Sequence, residues 1–131
     1  MAAECIFTCP VCGFKVAYWD EGKSYIAGPD GQRHYWYHPG EHLQWLKIFR
    51  LFVQYPTEAD ISNILREHGG TEDKHLCRAC CGTTFLDLRK DTLNCRHCGS
   101  AELILVSQLA GQGCPTCHRS RFGAQRYGAI S

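Results

Sequence analysis

Eight of the ten cysteines in this 131-residue chain occur in four Cys-x-x-Cys pairs. The pairs are Cys9/Cys12, Cys77/Cys80, Cys95/Cys98 and Cys114/Cys117. A Cys-x-x-Cys turn presents two thiolate sulfurs to one tetrahedral metal ion, and two such turns complete a four-sulfur site. The sequence therefore predicts two four-cysteine sites, each holding one structural Zn²⁺. Cys5 and Cys81 stand outside this pattern, because the pair spacing selects Cys80 rather than Cys81 as the partner of Cys77.

Disulfide, redox and iron chemistry are the alternatives to a zinc site. Disulfides belong mainly to secreted proteins, and the N-terminus, MAAECIFTCPVCGF, lacks the basic start and apolar run of a signal peptide. A redox pair needs a thiolate activated at a helix N-terminus, whereas these pairs are bordered by glycine and strand-like sequence. Iron stays open, since a four-cysteine site accepts iron as well as zinc.

The two central pairs are separated by fourteen residues, and each is followed by a small residue and a strand-like run. In these features residues 77–109 resemble the zinc-ribbon superfamily, which has rubredoxin-like Cys-x-x-Cys knuckles. The resemblance implies that two knuckles at the ends of β-hairpins hold one structural zinc through Cys77, Cys80, Cys95 and Cys98.

The two outer pairs lie more than a hundred residues apart, and each supplies half a site. The economical arrangement is nested, so that the two ends of the chain meet around a second zinc held by Cys9, Cys12, Cys114 and Cys117. A crossed arrangement, as in RING-like domains, would pair the first knuckle with the third and the second with the fourth. The short central loop favours nesting because it already suits a ribbon.

Turn sequences divide the segment after the first pair into short elements. The sequences DEG and GPDG separate runs of β-branched and aromatic residues, which predicts strands near 14–19, 24–27 and 32–37 in an antiparallel meander. Thr57 and Asp60 suit the capping box of a helix that ends at Gly69. The fold class expected is α+β, a small zinc-stabilised domain with antiparallel hairpins and a helical hairpin.

A first helix is expected between Gly40 and Pro56. At helical spacing, one broad arc faces the core and consists of Trp45, Leu46, Ile48, Phe49, Phe52 and Val53. Leu43 and Leu51 fall on the opposite side beside Lys47 and Arg50, where they would be exposed. We expect this face to bind another protein or a second copy of the chain.

The charge is unevenly distributed. The formal net charge is +1, with seven Lys/Arg and three Asp/Glu in residues 77–131, against seven and ten in residues 1–76. Each Zn²⁺ held by four thiolates adds a formal −2, so two filled sites would bring the chain to −3. Net charge thus favours a protein partner. Nucleic acid is the alternative, through a C-terminal segment that contains Arg119, Arg121 and Arg126.

Taken together, the sequence predicts one compact unit over residues 1–131. Its parts are a knuckle with a meander at 1–40, a helical hairpin at 41–70, the ribbon at 77–109 and a knuckle with a basic tail at 110–131. No GxSxG, P-loop or HExxH motif is present, and a closed four-cysteine site leaves no position for substrate. The expected function is a non-catalytic adapter in the cytoplasm without membrane attachment. An accessory subunit or a zinc or thiol enzyme is the further alternative.

Overall fold

The computed structural model describes residues 2–36 and 41–130, with residues 41–43 described by their backbone alone. The chain forms two compact units. The cysteine unit consists of Met1–Gly22 and Asp73–Ser131, and the helical unit consists of Lys23–Glu72. A single compact unit over the whole chain is the expectation from the sequence. All ten cysteines belong to the cysteine unit.

The fold is mixed, with antiparallel sheets and two α-helices in the described residues. In chain order the elements are β1 (Ala3–Thr8), β2 (Lys15–Trp19), β3 (Lys23–Ala27), β4 (Arg33–Tyr35), α1 (Glu41–Phe49), α2 (Glu58–His68), β5 (Gly69–Cys77), β6 (Thr83–Leu86), β7 (Leu103–Leu105), a 3-10 turn (Val106–Gln108) and β8 (Arg126–Ile130).

In the cysteine unit, β1 lies between β2 and β8, and all pairings are antiparallel. The second half of β5 pairs with β6 on one side and with β7 on the other, again antiparallel. One core cluster contains side chains from both strand groups, namely Phe7, Cys9, Val16, Leu76, Val106, Leu109, Cys114 and Phe122. Two of the predicted metal ligands are thus part of the hydrophobic core itself.

In the helical unit, β3 pairs with β4 and with the first half of β5. The start of α2 is the predicted capping box: the Thr57 hydroxyl accepts from the Asp60 N–H, and the Asp60 carboxylate accepts from the Thr57 N–H. Gly69 follows the helix as its C-cap. The core of this unit consists of Ile26, Ile48, Phe49 and Ile64.

A buried carboxylate organises the strands of the helical unit. Glu72 is 1% exposed and accepts hydrogen bonds from Arg33 Nη1 at 2.6 Å and from the Tyr35 hydroxyl at 2.7 Å. The Arg33 guanidinium also lies 4.2 Å from the ring centre of Tyr25, and the Lys23 ammonium lies 4.2 Å from that of Tyr35. The buried charge of Glu72 is tolerated because the Arg33 guanidinium pairs with it and the Tyr35 hydroxyl donates a hydrogen bond to it.

Three expectations need correction. The predicted meander does not form, because β2 pairs with β1, whereas β3 pairs with β4 and β5. The first helix ends at Phe49, and tight turns carry the chain onward. Its expected core arc is only partly buried, since Leu46 and Val53 are 42% and 38% exposed.

No described helix combines the length and the apolar character that a membrane crossing requires.

Candidate metal centres

The four Cys-x-x-Cys turns share one backbone design. In each, the residue four positions after the first cysteine donates its N–H to that cysteine's carbonyl, at 2.8–3.1 Å. The N–H of the first cysteine in turn donates to a carbonyl five or six residues later, at 2.8–2.9 Å. We refer to the turns of the two outer pairs as the first clamp knuckle (9–12) and the last clamp knuckle (114–117). The turns of the two central pairs are the first ribbon knuckle (77–80) and the second ribbon knuckle (95–98).

The shared design requires a left-handed residue directly after the second cysteine. This position is held by Gly13 at φ +78°, Cys81 at +63°, Gly99 at +78° and His118 at +57°. Glycine adopts this conformation without steric strain, whereas cysteine and histidine do so at a cost. Cys81 therefore occupies the backbone position that Gly13 and Gly99 fill in other knuckles, and it lies outside both groups of four sulfurs.

The eight paired cysteines form two groups of four sulfur atoms, and within each group all sulfurs lie within 4.8 Å of one another. The ribbon site contains Cys77, Cys80, Cys95 and Cys98, and the clamp site contains Cys9, Cys12, Cys114 and Cys117. This grouping is nested, with the ribbon site formed within the stretch of chain that the clamp site encloses.

The sulfur separations suit tetrahedral coordination. In the ribbon site Sγ of Cys77 lies 3.6 Å from that of Cys98, and Sγ of Cys80 lies 3.7 Å from that of Cys95. The clamp site has equivalent separations of 3.7 and 3.6 Å. Four sulfurs placed about 2.3 Å from one zinc at tetrahedral angles lie about 3.8 Å apart, whereas a disulfide requires about 2.05 Å. Each group of four sulfurs could therefore hold one metal ion.

Each knuckle buries its first cysteine and leaves the second nearer to solvent. Cys9, Cys77, Cys95 and Cys114 are at most 3% exposed, while the second cysteine of each knuckle is exposed or half-buried. Backbone N–H groups also point at sulfur, as from Gly82 to Cys80 and from His97 to Cys95, both at 3.4 Å. Such donors stabilise negative charge on a thiolate.

The thiols of the clamp site differ in acidity. The pKa of Cys9 is lowered to about 6, chiefly because the backbone N–H of Cys12 hydrogen bonds to it. The N–H of Phe14 acts to lower the pKa of Cys12, but burial and the hydrogen bonds with neighbouring cysteines outweigh it and raise that pKa to about 12.

The thiols of the ribbon site differ in acidity in the same way. The pKa of Cys95 is lowered to about 6, first by the N–H of Cys98. The N–H of Gly82 lowers the pKa of Cys80, yet burial and the neighbouring thiols raise it to about 12. Crowded thiols cannot all ionise unaided, so four thiolates at one point require a cation.

Comparison of the chain with protein-family models, with curated proteins and with solved structures finds no match. The group formed by Cys77, Cys80, Cys95 and Cys98 is compatible with a zinc ribbon at residues 77–109.

The residues expected to contact a partner are distributed over both units. Lys47, Arg50 and Leu51 are exposed in the helical unit, whereas the side chain of Leu43 lies outside the described residues. Leu51 lies two residues beyond the end of α1 at Phe49, and the partner surface stays a prediction. In the cysteine unit, the exposed arginines include Arg119, Arg121 and Arg126.

Two residues beside the ligand cysteines have hydrogen-bond partners that the sequence did not identify. Arg78 lies within the first ribbon knuckle and donates to Gln112, and His97 Nε2 lies 2.8 Å from the carbonyl of Thr83. The position of each within or beside a Cys-x-x-Cys turn was visible, but its partner depends on the fold.

Proposed function

We propose that this protein is a non-catalytic binding module whose cysteine unit is held together by two structural zinc ions. The observation that carries the proposal is the convergence of four sulfurs in each site, where all four lie within 4.8 Å of one another and two pairs are 3.6–3.7 Å apart. Four protein ligands complete tetrahedral zinc and leave no position for a substrate or an activated water. The metals therefore stabilise the fold, and the function lies in the surface that they support.

Zinc suits both sites better than a hard cation does. Thiolates are soft ligands, and a tetrahedral set of four sulfurs selects zinc or iron over magnesium or calcium. The resemblance of residues 77–109 to zinc ribbons supports zinc as the resident ion.

The surface that we propose for a protein partner lies in the helical unit, in the segment after α1. Leu51 and Tyr55 are 46% and 78% exposed there, and Lys47 and Arg50 are exposed nearby along the chain. Exposed apolar residues accompanied by basic ones suit a partner that combines apolar and acidic side chains. A second copy of this chain is the other occupant to be tested.

Charge supports a protein partner over nucleic acid as the principal one. The cysteine unit contains nine Lys/Arg and seven Asp/Glu, a formal net charge of +2. Two filled four-cysteine sites add −4 and bring this unit to −2. Such a unit lacks the overall positive charge that drives phosphate-backbone binding.

One observation favours nucleic acid as a second candidate. The cysteine unit exposes several arginines around its knuckles, and some of these bind neutral acceptors: Arg78 donates to Gln112 Oε1 and Arg121 to the Gly111 carbonyl. Their charge is available to phosphate groups.

The test compares Leu51→Glu with Ser62→Glu, a control at an exposed position on α2. Sedimentation is measured for the zinc-loaded chain alone, and cross-linking identifies protein partners. A complex lost in Leu51→Glu and kept in Ser62→Glu supports the proposal. A complex that survives both substitutions contradicts the assignment of this surface. Salt-dependent retention on mixed DNA and RNA, without a protein complex, would replace the proposal by the nucleic-acid candidate.

A further inference from the structure

Side chains of the first ribbon knuckle and its neighbour contact the last clamp knuckle and its neighbour. Arg78, within the first ribbon knuckle, donates from Nη2 to Oε1 of Gln112 at 2.7 Å. Gln112 lies two residues before Cys114. Thr116, within the last clamp knuckle, donates its hydroxyl to Sγ of Cys81 at 3.8 Å. Both contacts join a loop that forms one metal site to a loop that forms the other.

The hydrophobic core provides a third connection. Leu76 is fully buried and packs in the same cluster as the clamp ligands Cys9 and Cys114. The next residue along the chain is Cys77, a ribbon ligand that is also fully buried. The backbone that positions a ribbon sulfur is therefore fixed by the packing that positions clamp sulfurs.

A shallow groove follows the same contact region. It has a volume of ≈ 390 Å³ and is lined by Arg78, Glu102, Gly113, Cys114, Pro115 and His118. Residues of the first ribbon knuckle and the last clamp knuckle thus border one continuous surface.

We infer that the two metal sites are thermodynamically coupled, so that filling either site raises the affinity of the other, and that Arg78 carries part of this coupling. The inference rests on the proposed function, in which both sites bind zinc. Metal in the ribbon site orders the first ribbon knuckle and with it Arg78 and Cys81. These residues then hold Gln112 and Thr116, so the clamp site loses less conformational entropy when it binds its own ion.

The spacing of the cysteine pairs along the chain determines which metal site fills first. The ribbon site closes a loop of fourteen residues between its knuckles, whereas the clamp site joins knuckles that are more than a hundred residues apart. The entropy cost of loop closure rises with loop length. The ribbon site therefore fills first, and the clamp site gains from the order already established.

The first experiment measures clamp affinity in the full chain with and without a working ribbon site. Cys98→Ser removes an exposed ribbon ligand, and Co²⁺ binding is followed by its thiolate absorption in competition with a chelator. Coupling predicts that clamp affinity falls by at least about fivefold, and that Cys12→Ser weakens the ribbon site by the same factor. Unchanged clamp affinity in folded Cys98→Ser overturns the inference.

The second experiment keeps all eight ligands and compares Arg78→Ala with Arg96→Ala. Arg96 holds the same position in the second ribbon knuckle, but its guanidinium lies 3.5 Å from Asp91 in the ribbon's own loop. At one equivalent of Co²⁺, native mass spectrometry measures how much chain carries a single ion. The singly loaded fraction should rise in Arg78→Ala and match the wild type in Arg96→Ala.

These outcomes separate the two claims. Equal singly loaded fractions in Arg78→Ala and Arg96→Ala overturn the role of Arg78. This comparison keeps all eight ligands, so it tests Arg78 even if circular dichroism shows that Cys98→Ser does not fold. If the chain binds two ions independently, the inferred coupling is wrong and the proposed function still stands. A chain that folds without binding any metal defeats the proposed function as well.

Discussion

Replacing Cys81 with glycine tests whether the knuckle geometry assigns the ligands correctly. Cys81 has φ +63°, where a residue other than glycine is destabilised by about 1–2 kcal/mol. Glycine removes this strain but increases the entropy of the unfolded chain, which offsets about 0.5–1 kcal/mol of the gain. We therefore expect Cys81→Gly to retain both metals and to stabilise the protein by at most about 0.5 kcal/mol, raising Tm by no more than about 2 °C, since the hydrogen bond from Thr116 to Sγ of Cys81 is also lost.

The assay combines metal counting by native mass spectrometry with thermal unfolding at a fixed excess of zinc, because bound ligand itself shifts Tm. Cys81→Val is the matched control and should lower Tm, since a β-branched side chain tolerates positive φ poorly. Cys80→Ser should lose the ribbon metal. Loss of one metal from Cys81→Gly, with both retained in Cys80→Ser, would refute the assignment of Cys80 and the shared knuckle design.

Glu72→Ala should lower the free energy of unfolding by about 3–5 kcal/mol in urea, because it leaves a partly buried arginine without its carboxylate; a change close to zero would contradict this. The raised pKa values of Cys12 and Cys80, each about 12, keep these thiols protonated at neutral pH. Metal binding should therefore release protons and tighten as pH rises, and calorimetry in buffers of different ionisation enthalpy would detect this release or its absence. Gly82→Ala should weaken the ribbon site, since an added Cβ would lie 3.2 Å from Sγ of Cys80, whereas Gly123→Ala, with no atom within 4 Å, should leave metal affinity at the wild-type value.

Local sequence signals predicted the parts of the structure that depend on neighbouring residues. Thr57 and Asp60 form the expected capping box, because both partners lie within one helical turn. The four knuckles likewise depend on short spacings, and glycine at positions 13 and 99 marks two of their left-handed residues. The strands expected near 14–19 and 24–27 are present as Lys15–Trp19 and Lys23–Ala27 for the same reason, since turn sequences flank them.

Elements that depend on distant residues were not predicted. The strand Gly69–Cys77 buries Glu72 and His75, two polar residues that no hydrophobic pattern would place inside. The burial of Glu72 becomes possible through hydrogen bonds to residues that only the fold brings near, such as Arg33, whereas His75 Nδ1 lies 2.9 Å from the carbonyl oxygen of Asp73, two residues back. In the strand Ala3–Thr8, the buried residues Cys5 and Phe7 alternate with less buried ones. This strand was not predicted, because the Cys-x-x-Cys pair that begins at Cys9 was the stronger signal in this part of the sequence.

The end of the first helix shows a similar limit. No proline or glycine stands between Phe49 and Pro56, so the sequence contains no local stop signal before Pro56. The helix nevertheless ends at Phe49, and Leu51 and Phe52 donate their N–H groups three residues back in tighter turns. Which apolar residues of this segment are buried is decided by packing in the helical unit and not by helical periodicity.

X-ray absorption spectroscopy at the zinc edge, on protein whose metal content has been measured, tests the central claim most directly. The proposed function predicts two zinc ions per chain, each surrounded by four sulfurs at about 2.3 Å and by no nitrogen or oxygen ligand, at the two groups of four cysteines. One ion per chain, or a first shell that mixes sulfur with nitrogen or oxygen, would contradict the account of two closed structural sites.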